Sequence, residues 1–338
     1  MKRLVVLAPN WLGDAIMALP AIADVRRAAP ELSITIAARP VIAPLFALVP
    51  TIDRTIVLPR PLTLRNIGSW RALGAELADN QFDTALLLPN SMHAALVASR
   101  ARIPERWGYR AGWRGALLTR AVPRTFGLHQ VEYYQRLVQA LGFPNGPTEP
   151  RVEVPPAARE AAACVLKKAG WDGQLPLVAL APGAAYGGAK RWPPPSFAGV
   201  VAALAADGVR CVMIGSGADA ATGEEVLNAL GRRDNPPPLT NLIGRTDLAT
   251  LAGVLSHAGA LVTNDSGAMH LGAAVGVSVT AVFGPTDETA TRPLGDAHRV
   301  LLNPVWCRPC MLRECPIDHR CMRGIGVAAV IAAARRTL

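Results

Sequence analysis

At 338 residues, 51% of them hydrophobic, the chain is too long for one compact core and suits two domains of ordinary size, which excludes disorder as its main state. The opening MKRLVVLAP and the later apolar runs Val41 to Pro50 and Val327 to Ala334 are too short for a signal peptide or a spanning helix, so a soluble, cytoplasmic protein is expected. A formal charge of +10 and a pI near 9.9 predict attraction to polyanions, whether nucleic acid, anionic membrane or acidic glycolipid, without choosing among them.

In chain order, short runs of valine, leucine and isoleucine at Leu4 to Ala8, Ile34 to Ala37, Thr55 to Leu58 and Thr84 to Leu88 predict strands. Helical spacing between them, as at Ile16, Leu19, Ile22 and Val25, makes the order strand, helix, strand. Near-continuous apolar strands predict a parallel sheet covered on both faces. From Arg100 to Arg124 the chain carries seven arginines and one acid, interleaved with Trp107, Tyr109 and Trp113, which reads equally as a solvated surface or a polyanion-binding face. Phe143 to Pro156, rich in proline, disfavours helix and marks a linker. The strand pattern then restarts at Leu177 to Leu180, Cys211 to Ile214, Ala260 to Thr263 and Val279 to Phe283. The expected organisation is therefore α/β: Rossmann-like, doubly wound parallel-sheet domains at 1–150 and 157–325 facing a cleft, with 326–338 a helix packing back on the first domain.

Each series opens with a strand, an Ala-Pro and a small-residue turn. After the first, Asn10-Trp11-Leu12-Gly13-Asp14 leads into a helix, which puts Asp14 at or beside the N-cap. A carboxylate at the positive end of a helix dipole stays ionised; it either caps the helix or takes a proton from an attacking hydroxyl. After the second, Pro182 to Pro193 contains Gly183 and Lys190; small residues let backbone amides approach phosphate oxygens, and Lys190 and Arg191 supply charge. The spacing is not that of a P-loop. Gly215-Ser216-Gly217-Ala218-Asp219-Ala220 is a loose G-x-G-x-x-A match and reads as part of a nucleotide site without nicotinamide. Thr263 to Leu271, with Asp265, Ser266, Gly267 and His270, opens a helix whose N-terminus either is simply capped or holds a diphosphate. Asp-x-Asp, the usual divalent-metal pair on nucleotide sugars, is absent from the sequence.

Cys164 and Cys211 sit alone in apolar stretches and read as buried hydrophobes. Cys307, Cys310, Cys315 and Cys321, with His319 among them, are dense enough for structural zinc or an iron–sulfur cluster, or else are free thiols or disulfides.

Together, APNWLGDAIMALPA, LAPGAAYGGAKRWP, TNDSGAMHLGAAVGV, VFGPTD and CRPCMLRECPIDHRCM resemble glycosyltransferase family 9, over residues 3 to about 326. The resemblance implies the GT-B architecture, shared with sugar-nucleotide epimerases, and inverting transfer of heptose from ADP-heptose to the lipopolysaccharide inner core, with no cofactor required for catalysis. It implies Asp14 as catalytic base, Lys190 at the donor diphosphate, Asp265, Ser266, Gly267 and His270 in the donor-binding turn, and Asp219 near the donor ribose. The first domain would bind acceptor, through Asn10, Trp11 and Arg60 and the arginines between Arg100 and Arg124. Asn10-Trp11, in place of paired serines, and the cysteine segment both point to the type II branch, whose acceptor is heptosyl-Kdo2-lipid A at the inner leaflet of the inner membrane. Nucleic acid is not an expected partner. An epimerase and a non-catalytic polyanion binder are the alternatives, separable by acceptor-dependent release of ADP and by salt-dependent binding to DNA or RNA.

Overall fold

The apolar runs form two all-parallel sheets in the computed structural model, which describes residues 1–58, 67–231, 239–336 and 338. The chain divides into two compact units, Met1–Glu153 and Val154–Leu338. The first sheet comprises β1 (Arg3–Leu7), β2 (Ser33–Ala38), β3 (Arg54–Val57), β4 (Thr84–Leu87), β5 (Glu105–Tyr109) and β6 (Arg120–Val122), in the order β3-β2-β1-β4-β5-β6. The second comprises β7 (Leu177–Ala181), β8 (Arg210–Met213), β9 (Leu239–Asn241), β10 (Ala260–Asn264), β11 (Ser278–Phe283) and β12 (Arg299–Leu302), in the order β12-β11-β10-β7-β8-β9. Read from its other edge, the second order repeats the first, and both are doubly wound with the winding reversing beside the first strand of each series.

Burial explains why the central strands have so little polar character. Val5, Leu7, Ala85 and Leu87 pack with Leu77, Ala95 and Ala98 in one unit; Val178, Leu180, Val262 and Val282 pack with Trp192, Phe197 and Val201 in the other. The eight runs read as strands are all present. β5, β6, β9 and β12 lack the apolar signature of the central strands: they are short or carry charged residues and lie toward the sheet edges, where one flank needs no apolar partner.

The linker belongs to the first unit as far as Glu153, whose N–H donates to the Leu48 carbonyl at 2.8 Å. A helix then starts at Pro156, where proline's missing N–H and fixed φ suit a first turn. The C-terminal helix Val327–Arg335 belongs to the second unit. It packs on the helix Pro194–Ala206, sends Val330 and Ala334 into that core and pairs Arg335 with Asp207 at 2.8 Å. Cys211 is buried as expected, and burial pushes its thiol up to about 12; Cys164 is exposed, because its helix turns Ala162 and Leu166 inward instead. No helix among the described residues is long and apolar enough to cross a membrane.

Candidate active site

In the first unit the turn after β1 leads into the helix Leu12–Met17. Trp11 is its N-cap and makes no side-chain cap bond, so Asp14 is the third residue of the helix rather than the cap itself. The carboxylate is half-buried near the positive end of the helix. Burial, and then the Asp14 charge, push the Tyr134 hydroxyl well above the usual phenol range, which keeps Tyr134 a neutral neighbour of that carboxylate. Asn10 and Trp11 are exposed beside it, Trp11 at 51%. Arg60 lies outside the described residues.

Several arginines of the 100–124 stretch serve the fold. Arg114, fully buried, donates from Nε to the Tyr109 carbonyl at 2.9 Å and from Nη1 to the Pro89 carbonyl. Arg106 donates to the carbonyls of Ile103, Pro104 and Leu117. Arg120 lies 5.1 Å from the Trp107 ring, whereas Arg124 covers Phe126, itself 74% exposed. The segment is therefore part scaffold and part surface.

In the second unit, strand order fixes which turns meet. β7 lies between β10 and β8, so the turns that follow these three strands share one stretch of the carboxyl edge. After β7, Gly183 approaches Asp219 so closely that a Cβ there would collide with its carboxyl group. After β8, Asp219 Oδ2 accepts from the Ser216 N–H at 2.9 Å and from Ser216 Oγ at 2.8 Å, in a capping box. After β10, Ser266 caps the helix Gly267–Val275, accepting from the Met269 N–H at 3.4 Å, and Gly276 ends that helix in the left-handed conformation. Gly267 is the first residue of this helix and His270, one turn in, is buried.

Lys190 reaches across from the β7 loop to this turn. Its Nζ stands 2.6 Å from Asp265 Oδ2, with the two side chains 13% and 6% exposed, and 4.8 Å from the centre of the Tyr186 ring. Asn264, fully buried, holds the two turns together: its Nδ2 donates to the Pro182 carbonyl at 2.7 Å, and its Oδ1 accepts from the Trp192 N–H at 3.0 Å. Nothing local in the sequence marks Asn264, because its partners lie 72 and 82 residues away. A helix N-terminus, a lysine 13% exposed and a small-residue loop together make an arrangement suited to a diphosphate.

Cys307, Cys310, Cys315 and Cys321 are all free thiols, and they line one small cavity with His319. Burial, then the other thiols, push Cys321 up. Among the described residues no group of three or more His, Cys, Asp or Glu is arranged to hold a metal ion. The structural zinc or iron–sulfur cluster suggested by cysteine density is therefore unsupported.

Residues 70–320 match the family model for glycosyltransferase family 9 (heptosyltransferase). The chain is 30% identical over 308 residues to lipopolysaccharide heptosyltransferase 2 of Salmonella typhimurium, covering 88% of this chain and 87% of that one. It is equally 30% identical over 308 residues to lipopolysaccharide heptosyltransferase 2 of Escherichia coli K12, with the same coverage. Among solved structures it is similar to E. coli ADP-heptose LPS heptosyltransferase II, with a TM-score of 0.84, 28% identity, and coverage of 100% of this chain and 98% of that one.

Proposed function

Because the chain belongs to glycosyltransferase family 9, the heptosyltransferases, we propose that it transfers a heptose to the first heptose of the lipopolysaccharide inner core. It is a glycosyltransferase, and the observation that carries the finer reading is its likeness to type 2 heptosyltransferases along nearly the whole chain. Fold alone does not decide function, so the reading also has to fit the side chains.

The donor in this account is ADP-L-glycero-D-manno-heptose, held by the second unit. Lys190 and the helix beginning at Gly267 face the diphosphate, His270 donates to it, and Gly183, Ser216 and Asp219 bound the nucleotide side. The acceptor is heptosyl-Kdo2-lipid A, met at the inner leaflet of the inner membrane by the first unit through Asn10, Trp11, Arg60 and its exposed arginines. Nucleic acid is not a partner. Asp14 removes the proton from an acceptor hydroxyl as its oxygen bonds to the anomeric carbon. The bond from that carbon to the phosphate oxygen breaks on the opposite face, its electron pair leaves with ADP, and configuration inverts. Charge building on ADP is met by Lys190, the helix N-terminus and backbone amides, so catalysis calls for no cofactor.

Acceptor-dependent release of ADP from ADP-heptose tests the reaction type. Release with glycolipid and none without it is expected; conversion of the donor without any acceptor would instead indicate an epimerase-like reaction.

A further inference from the structure

The segment 305–321, where the thiols concentrate, ties together two turns on the carboxyl edge of the second sheet. One is the loop after β7 that carries Lys190. There the Ala189 N–H donates to the Arg313 carbonyl at 2.9 Å, the Gly188 N–H to Glu314 Oε1 at 3.0 Å and the Tyr186 hydroxyl to the Met311 carbonyl at 2.8 Å. His319 Nε2 is 2.6 Å from the Ala189 carbonyl. A Cβ on Gly187 would strike the Arg313 carbonyl, so the small residues of this loop admit the segment itself.

The other is the turn after β11. Arg308, its side chain 10% exposed, donates from Nε to the Gly284 carbonyl and from Nη2 to the Thr286 carbonyl, both at 3.0 Å, and pairs with Glu288 at 2.7 Å. The Met311 N–H donates to the Pro285 carbonyl at 2.9 Å. This turn presents Thr286, 4% exposed, whose Oγ1 donates to Asp265 Oδ2 at 2.7 Å. That is the oxygen to which Lys190 donates at 2.6 Å.

One carboxylate oxygen therefore takes two donors of different kinds. The hydroxyl comes from a β-branched side chain on a turn fixed by a buried guanidinium, and the ammonium from a long stem with several rotamers. The fixed donor sets the carboxylate, and the carboxylate sets the ammonium. Resting on the donor-site reading above, we propose that Thr286 and Arg308 are positioning residues: Thr286 orients Asp265, and through it Lys190, toward the donor diphosphate, while Arg308 holds the turn that makes this possible. Neither touches a reacting atom. Without the hydroxyl, Asp265 turns to Lys190 alone and the ammonium is drawn from the diphosphate into a closer pair.

The test uses the full chain with ADP as the calorimetric probe, beside donor KM and kcat. Thr286→Val keeps the volume and branching but removes the O–H. It is expected to weaken ADP binding about 3- to 10-fold, the range of one lost hydrogen bond, and to raise donor KM more than it lowers kcat. Thr286→Ser restores both. Arg308→Lys, which keeps the charge but not the fork of donors, shifts ADP affinity in the same direction; if it folds poorly, the threonine pair decides. Unchanged ADP affinity in Thr286→Val alongside weakened binding in Lys190→Ala overturns the positioning role and leaves the donor site standing. Failure of Thr286→Ser to restore binding overturns it as well. Unchanged affinity in Lys190→Ala removes the donor-site reading and the positioning role with it.

Discussion

Lys190 and Asp265 form an ion pair of 2.6 Å, their side chains 13% and 6% exposed, although 75 residues separate them in the chain. Both charges have been taken out of water, and each is tolerable because of the other.

Removing one partner should therefore cost stability as well as binding. Lys190→Ala leaves the Asp265 carboxylate with Thr286 as its donor, and Asp265→Ala leaves a buried ammonium; each should lose about 3–5 kcal/mol, the typical cost of breaking a buried pair. The double variant should lose much less than the sum, and chemical denaturation of all four proteins measures the coupling. Additive losses would mean that the pair is not coupled in solution. Lys190→Ala should also weaken ADP and ADP-heptose equally if its proposed target is the diphosphate common to both; an effect on one ligand alone would contradict that target.

For Asp14 the expectation is a loss in rate without a loss of donor. Asp14→Asn keeps the shape of the first helical turn but has no ionised oxygen to accept a proton. Turnover should fall about 100- to 10,000-fold, the span for a lost general base, with ADP affinity and melting temperature near wild type. Near-normal turnover would leave Asp14 with a structural role at the start of its helix.

Gly183 and Asp219 give a prediction that depends on shape. A methyl group on Gly183 would occupy the place of the Asp219 carboxyl, which is itself fixed by two bonds to Ser216. Gly183→Ala should weaken ADP binding by displacing Asp219, and adding Asp219→Gly, which removes the carboxyl and the Cβ that would both meet the methyl, should recover stability without recovering affinity. Equal melting temperatures for the single and double variants would show that the loop absorbs the methyl elsewhere.

Transfer should continue at its normal rate in EDTA. In the proposed donor site, Lys190, the helix beginning at Gly267 and backbone amides would supply the charge that a divalent ion otherwise brings to the leaving ADP. Loss of activity in EDTA, restored by magnesium or manganese, would contradict this.

The central strands of both sheets were legible because strands buried on both faces leave a run of apolar residues that nothing else of that length explains. β5, with Glu105 and Arg106, and β9, a three-residue strand ending in Asn241, lacked that signature, as strands near an edge are stabilised by one neighbour and by tertiary context. The turns at Asp14, Gly183, Lys190 and Ser266 were legible through small or charged residues placed directly after strands. Asn264 and Thr286 were not, because their importance lies in partners 82 and 21 residues away. The one available signal was position: each lies at or just beyond the end of an apolar strand, β10 and β11, on the edge that carries the rest of the site. Cysteine density pointed to metal, with His319 among the thiols, whereas the same segment serves the fold through that histidine and through Arg308, Arg313 and Glu314, none of which stood out by composition.

The most direct measurement of the central claim is the mass of the product formed from ADP-heptose and truncated lipopolysaccharides bearing no, one or two heptoses. The one-heptose acceptor is expected to gain a single heptose, and the acceptor with none to stay unmodified. Transfer to the heptose-free acceptor, with the one-heptose acceptor untouched, would contradict it.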